Sequence, residues 1–459
     1  MLNSYHFVGV GGIGMSSIAQ VLREQGHSVS GSDRNYDRQV TPHVFKKLLS
    51  KGISLYPQNG SGVSENTHFV VVSSAIEMDN PDIAKAVTLG KKIIKRAELL
   101  AEMVNSKYGI AIGGSNGKTT VSSMVGYVLD HAGLSPTIIV GGCIKNYTDD
   151  LTMGNAKTGK SDIIAIEADE SDGSIVFYKP RISVITNISK DHESIENLSK
   201  MFETFSQNTQ DTLIINADCP HLKLIPFKNK HVVTFGLNTD ANLRASNVIR
   251  EPFRTTFTVD RQVYKIALPG DYNVSNALAA IAVARSLNIS DENVALALSR
   301  FMGVQRRMDI IGEVGGIKVI DDYAHNPKKV TAVINAIKHG CKRVIAVFQP
   351  HGYGPTIFMQ KEFIEAFINV LSPQDLLFMP EIFYSGGTAN KSISSADLIN
   401  SIKQGGKNAF FVEKRDDIIP MITTEARIGD CIVVMGARDN TLTEFCEKMV
   451  HTMKLHTHA

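Results

Sequence analysis

Gly113-Gly114-Ser115-Asn116-Gly117-Lys118-Thr119-Thr120 is the stretch on which the reading of this chain turns. An apolar run ending Ile110-Ala111-Ile112 leads in, and Val121 to Leu129 leads out with helical spacing. Strand, glycine-rich turn, lysine, hydroxyl and helix together form a phosphate cradle. The glycines let backbone N–H groups converge on oxygens, and the helix N-terminus adds a favourable dipole. In such a loop Lys118 reaches the β- and γ-phosphates and the Thr119 hydroxyl sits on Mg2+, so ATP or GTP is the expected ligand of Gly114 to Thr120. The common pattern also places a glycine six residues before the lysine, where this chain has Ile112. The plainer alternative is a turn that merely starts a helix.

The bulk numbers frame that expectation. At 459 residues the chain is too long for one core, and about three domains are expected. Hydrophobic content of 43% with 20% charged residues is ordinary globular composition. A formal net charge of +2 gives no reason to expect nucleic acid or an anionic membrane as partner. The five cysteines are scattered without a Cys-x-x-Cys pair, which fits reduced thiols in a cytoplasm. No signal-peptide pattern and no long apolar run is present, so a soluble cytoplasmic protein is expected.

Before the cradle, His6-Phe7-Val8-Gly9-Val10-Gly11-Gly12-Ile13-Gly14 leads into a helical pattern, Ser16 to Glu24. Ser28 to Asp33 then reads as a second strand ending in an acid. Gly9, Gly11 and Gly14 have G-x-G-x-x-G spacing, with Asp33 nineteen residues on, which suggests a nucleotide fold with Asp33 on a ribose. The spacing does not say whether NAD or another nucleotide binds. Phe69 to Val72 is a buried parallel strand, and Ser73 and Ser74 at its end either bond a phosphate or cap the next turn.

Beyond the cradle, Ile163 to Ile166 runs into Glu167-Ala168-Asp169-Glu170-Ser171-Asp172. An apolar strand ending in acids supplies a metal-side carboxylate, with Glu167 competing against Asp169 and Glu170. Ile182 to Ile185 is a neighbouring strand ending Thr186-Asn187-Ile188-Ser189-Lys190-Asp191-His192, which gives His192 a metal or phosphate role. Val232 to Val263 alternates as a small antiparallel sheet, and Ala277 to Leu287 reads as a long helix. A third α/β unit starts near Phe301. Its loops Asp321 to Pro327, Gln349 to Tyr353 and Gly436-Ala437-Arg438-Asp439 fall at strand carboxyl ends and form a candidate binding wall.

Taken in order, these motifs resemble the Mur ligase family over essentially the whole chain, most closely its L-alanine-adding branch. Gly114 to Thr120 is similar to the family's shortened P-loop. Glu167 to Asp172, Asn187 with Asp191-His192, and Asp322-Tyr323-Ala324-His325-Asn326-Pro327 match family motifs in sequence order. The resemblance implies three domains: a Rossmann-like UDP-binding domain (1–98), a central P-loop ATP-binding domain (99–302) with a parallel sheet plus a small antiparallel sheet, and a C-terminal Rossmann-like domain for the amino acid or peptide (303–459). It implies UDP-N-acetylmuramate at Gly11, Gly12, Ile13, Gly14, Ser32, Asp33, Ser73 and Ser74, in place of NAD. It implies ATP at the cradle, at Asn273 and Asn276, and at Arg307 and Asp322, which reach ATP only after domain closure. It also implies Mg2+ at Thr119, Glu167 and His192. Lys118 would neutralise the transferring phosphoryl group, and His325 would lie near the incoming amine without being assigned as a base.

The implied reaction is ATP-dependent amide formation through an acyl phosphate, in a monomer or homodimer, serving peptidoglycan precursor synthesis. The incoming group is expected to be L-alanine. A ready-made L-alanyl-γ-D-glutamyl-meso-diaminopimelate tripeptide is the alternative, because Gly352 and Gly354 stand where the L-alanine branch carries arginines. An NAD-dependent dehydrogenase would leave the P-loop and its acids without a role. No lysine occurs between Lys200 and Lys223, so no carbamylated lysine is expected.

Overall fold

A computed structural model of the chain describes residues 2–189, 193–228, 231–384, 391–437, 439 and 441–457. It contains three sheets. The first has β1 (Ser4–Val8), β2 (Ser28–Ser32), β3 (Ser54–Tyr56), β4 (Phe69–Val72) and β5 (Lys92–Lys95) in the order β3-β2-β1-β4-β5. All of its pairings are parallel. The chain reverses direction of travel across the sheet between β1 and β4. The glycine turn after β1 and Ser73 after β4 therefore border the crevice where open α/β sheets take ligands. The helix after the turn runs Ile13–Glu24 and begins three residues before the helical pattern, because Gly12 serves as its N-cap.

The second sheet has β6 (Tyr108–Gly113), β7 (Thr137–Ile139), β8 (Ala156–Lys157), β9 (Ile163–Glu167), β10 (Ile182–Ile185), β11 (Thr212–Asn216), β12 (His231–Gly236), β13 (Leu243–Glu251), β14 (Arg254–Val259) and β15 (Gln262–Ile266). Its order is β15-β14-β13-β12-β11-β10-β6-β9-β7-β8. The P-loop strand β6 lies between β9 and β10, parallel to both, so their carboxyl-end loops flank the cradle. The alternating stretch is β12 to β15, which extend this same sheet.

The third sheet has β16 (Asp309–Val314), β17 (Ile317–Asp322), β18 (Arg343–Phe348), β19 (Leu376–Met379), β20 (Asn408–Phe411) and β21 (Asp430–Met435), ordered β16-β17-β21-β18-β19-β20. It is parallel apart from the β16–β17 hairpin. Alternate residues of β17 and β21 enter two different cores, Ile320 and Val433 on one face and Val319, Ile432 and Val434 on the other. Burial on both faces explains the unbroken apolar run Cys431 to Met435 in β21. The three-domain α/β architecture expected from the sequence is what the chain adopts.

By contacts the chain forms two compact units. One is Met1–Asn247 with Phe257–Ile266 and Val274–Val304; the other is Val248–Thr256 with Ala267–Asn273 and Gln305–Ala459. Within the first unit a single apolar core runs from Phe7 and Ile18 under the first sheet to Ala111, Ile166 and Phe202 under the second. A buried polar knot reinforces it. Asn155 donates to the Ile13 carbonyl (2.8 Å) and to Ser16 Oγ (2.9 Å), and accepts from Gln20 Nε2 (3.0 Å).

A second knot lies beneath β1. Asp82 is fully buried, accepts from Gly60 N–H (2.7 Å) and from the Ser32 hydroxyl, and faces His6 Nε2 at 3.6 Å. Burial opposes its ionisation, but the His6, Ser32 and Gly60 contacts outweigh burial and hold its pKa below the ordinary value.

Candidate active site

The cradle is built by backbone geometry first. Gly114 has φ +130° and Gly117 φ +85°, both in the region that favours glycine. A Cβ on Gly114 would lie 2.0 Å from Thr186 Oγ1, and one on Gly117 would lie 2.6 Å from Asn276 Oδ1. The end of β10 locks the loop in place. Thr186 Oγ1 and Asn187 Nδ2 donate to the Asn116 carbonyl (2.7 and 2.9 Å), Asn187 Oδ1 accepts from Asn116 N–H (3.1 Å), and Ser189 N–H donates to Ser115 Oγ (3.0 Å). The helix that follows, Lys118–His131, has Gly117 as N-cap with no side-chain cap, so its first-turn N–H groups are left for an anion.

Lys118 Nζ donates to the Gly114 carbonyl and to Glu170 Oε2, each at 2.8 Å, with Asp169 at 3.9 Å. Burial works against its charge, but Glu170, Asp169 and Glu167 together outweigh burial and raise its pKa, so it stays an ammonium. Burial also raises the Glu170 pKa, and Lys118 only partly offsets this. Thr119 Oγ1 donates to Glu167 Oε1 (3.1 Å), and Glu167 Oε2 accepts from Gly141 N–H (2.8 Å). The acids at the end of β9 thus divide: Glu167 goes to Thr119, and Glu170 and Asp169 go to Lys118. Hydroxyl and carboxylate oxygens side by side suit a hard cation such as Mg2+, which needs one or two protein oxygens beside phosphate and water. Among the described residues no cluster of three or more His, Cys, Asp or Glu is placed to hold a metal by itself. His192, the third expected ligand, and Asp191 before it lie outside the described residues.

In the first sheet, Gly11 N–H donates to Asp33 Oδ2 (2.9 Å) while Asp33 Oδ1 caps the next turn at Asn35 N–H (2.8 Å). Asp33 therefore braces the glycine turn. Gly12, Ile13 and Gly14 open the helix, and Ile13 is 39% exposed. Ser73 is half-buried and Ser74 exposed at the end of β4. Ser32 sits apart from the others: it is fully buried, and its hydroxyl is given to Asp82 beneath the sheet. One residue not singled out from sequence joins the turn. Arg96 Nη1 lies 3.3 Å from where a Cβ on Gly14 would be, and Arg96 Nη2 pairs with Asp172 at 3.2 Å.

In the second unit, Asp322 Oδ2 accepts from Met308 N–H (2.8 Å) and its Oδ1 from Ala324 N–H (2.7 Å). This carboxylate fastens the segment Arg306 to Met308, where Arg306 and Met308 hold the unfavourable φ values +59° and +50°. The Arg307 guanidinium lies 4.7 Å above the Tyr323 ring, and His325 Nδ1 is 2.9 Å from the Tyr323 carbonyl oxygen. Asn273 Nδ2 donates to the Pro269 carbonyl (2.8 Å), one turn before Asn276 on the helix Asp271–Ser286.

Burial pushes the Asp322 pKa up to about 6 against the opposing pull of Arg307. The folded state thus favours the protonated carboxyl. That stability is full below the ordinary value of 3.8 and is lost as pH rises through about 6. Wild type should lose about 2 kcal/mol relative to Asp322→Asn between pH 4 and pH 7. Urea unfolding of both proteins across that range measures the difference, and a pH-independent gap would show that Asp322 does not titrate there.

Comparison with known proteins follows the same geography. Residues 4–108 match the Mur ligase family catalytic domain, 112–284 the Mur ligase middle domain, and 306–438 the Mur ligase glutamate ligase domain. A UDP-N-acetylmuramate–L-alanine ligase of Jannaschia sp. (strain CCS1) is 38% identical over 453 residues, covering 95% of this chain and 93% of the relative. The chain belongs to the Mur ligase family. Its fold superposes on the UDP-N-acetylmuramate-alanine ligase MurC of Thermotoga maritima with a TM-score of 0.81, at 27% identity and 99% coverage of both chains. A murein peptide ligase of Psychrobacter arcticus 273-4 shares the fold at a TM-score of 0.69 and 23% identity, covering 98% of this chain and 99% of that one.

As a Mur ligase the protein is an ATP-dependent amide ligase. Sequence reading passed over Thr186 and Ser189, which hold the Mur ligase cradle closed. Their signal was available, since hydroxyls at the carboxyl end of a strand beside a P-loop have an uncapped glycine turn within reach. Among the described residues no helix is long and apolar enough to cross a membrane.

Proposed function

We propose that this Mur ligase joins L-alanine to the carboxylate of UDP-N-acetylmuramate, releasing ADP and phosphate, as a cytoplasmic monomer or homodimer. The observation that carries the proposal is the cradle itself. Lys118, Thr119 and Glu167 converge at the end of β6, in the same compact unit as a second glycine turn at Gly11 to Gly14. The relatives with matching sequence over nearly the full chain support L-alanine as the acceptor.

In this reading the muramyl carboxylate attacks the γ-phosphorus of ATP and ADP leaves. The resulting acyl phosphate is attacked by the amine of L-alanine; phosphate leaves and the amine loses its proton. Both steps build charge on oxygens, so positioning and electrostatics do most of the work. Lys118 exchanges its Glu170 contact for the phosphoryl oxygens, the first-turn N–H groups hold the β-phosphate, and Asn276 packs against the loop at Gly117. Thr119, Glu167 and His192 hold Mg2+, which neutralises phosphate charge when bound. Arg307 and Asp322, with Asn273, are assigned to ATP, and His325 to the neighbourhood of the amine. Gly11 to Gly14, Asp33, Ser73 and Ser74 hold the UDP-sugar, with Ser32 supporting them from below.

Phosphate release in the presence of UDP-N-acetylmuramate, Mg-ATP and a panel of amines tests this. L-alanine should give the largest stimulation and chelation of Mg2+ should abolish it. Stimulation by the diaminopimelate-containing tripeptide alone would move the acceptor assignment, and no stimulation by any amine would overturn the reading.

A further inference from the structure

An incoming amino acid carries a carboxylate that does not react, and that charge has to be held. The loop after β18 supplies no cation for it. It reads Gln349-Pro350-His351-Gly352-Tyr353-Gly354, Gly352 is at φ +73°, and a Cβ on Gly354 would meet nothing within 4 Å. The basic groups nearby are largely engaged. Arg306 bonds the Gly436 carbonyl (2.8 Å) and pairs with Asp321 (3.4 Å), Arg415 pairs with Asp439 and donates to Thr441 (2.7 Å), and Arg307 is assigned to ATP in the ligase reading above.

Lys391 is different. Gly352 N–H donates to the Phe383 carbonyl and Phe383 N–H to the Pro350 carbonyl, both at 2.9 Å, so the chain after β19 is zipped to this loop. The His351 and Phe383 rings stack at 5.7 Å on the same seam. The zipper sets Tyr353 edge-on to Tyr384 at 5.4 Å, and Lys391 Nζ lies 5.9 and 5.1 Å from their centroids. Among the described residues no carboxylate pairs with this exposed ammonium. Two aromatic faces narrow where a flexible lysine puts its charge while leaving its three donors to a ligand.

We propose that Lys391, steadied on Tyr353 and Tyr384, holds the carboxylate of the incoming amino acid and so selects acceptors that carry one beside the amine. The proposal rests on the ligase reading above. It accounts for how a loop with glycines at 352 and 354 still accepts a free amino acid.

The test is a set of Michaelis constants for wild type, Lys391→Gln, Lys391→Arg and Arg438→Gln, using the amino acid that wild type prefers and its carboxamide, as substrate or competing ligand. Lys391→Gln should raise KM for the amino acid roughly 10- to 100-fold, the value of a lost charge-assisted hydrogen bond. It should leave the carboxamide constant and the KM values for ATP and UDP-N-acetylmuramate unchanged, and Lys391→Arg should recover most of the loss. An unchanged amino-acid KM, an equal loss for the carboxamide, or a loss confined to Arg438→Gln would overturn the proposal. Wild type inert with every amine would instead bring down the ligase reading, and the proposal with it.

Discussion

Lys118→Ala is expected to lower kcat by roughly 1000-fold, while the protein keeps its fold. The ammonium is the one positive charge that the cradle itself provides, and phosphoryl transfer depends on charge neutralisation more than on any covalent group. Its fixed geometry, on the Gly114 carbonyl and Glu170, places it at the mouth of the loop before any nucleotide arrives. The substitution strands Glu170, which is 8% exposed, but burial already lifts that pKa. An unpartnered Glu170 can take up a proton instead of remaining as a buried charge, so the stability cost stays small. Single-turnover acyl-phosphate formation and a thermal melt on the same sample separate the two effects. A loss of less than tenfold in a protein with a wild-type melt would show that Lys118 is not the phosphoryl-neutralising group.

The second large effect concerns stability. Asp82→Ala should cost about 3–5 kcal/mol, because it removes one side of a buried charged network and leaves the others unpaired. The carboxylate serves Gly60 N–H, the Ser32 hydroxyl and His6 at once, and His6 is itself fully buried with Ser30 Oγ at 2.9 Å from Nδ1. Asp82→Asn keeps one acceptor and should cost less. Because the native pKa of Asp82 is held below 3.8, its contribution is present at neutral pH and fades as pH falls below that value. Urea unfolding followed by far-UV circular dichroism gives the number, and a cost under 1 kcal/mol for the alanine variant would mean the network is not what secures β1.

What could be read from the sequence follows the physics of each signal. Both glycine turns, the strand at Ile182–Ile185, and the acids after Ile166 came from local spacing, and local spacing survives folding. The competition among Glu167, Asp169 and Glu170 could not be decided from spacing, since the chain leaves the strand at Glu167 and strand alternation stops there. The choice is made by Gly141, which belongs to another loop. Arg96 against Gly14 and Asp82 against His6 are pairs 82 and 76 residues apart in the chain, and nothing in either neighbourhood encodes the other. The left-handed Arg306 and Met308 are likewise set by Asp322, a residue on the far strand of the hairpin.

The knot at Asn155 bears on how such enzymes can be recombined. Its amide reads the first helix at the Ile13 carbonyl, at Ser16 and at Gln20, and Asn155, Ser16 and Gln20 are all buried. A chimera that took residues 1–98 from a relative lacking a matching amide partner would leave several buried polar groups without hydrogen bonds. The first-sheet module and the phosphate-cradle module therefore have to be exchanged as a matched pair, and a workable crossover point falls after both.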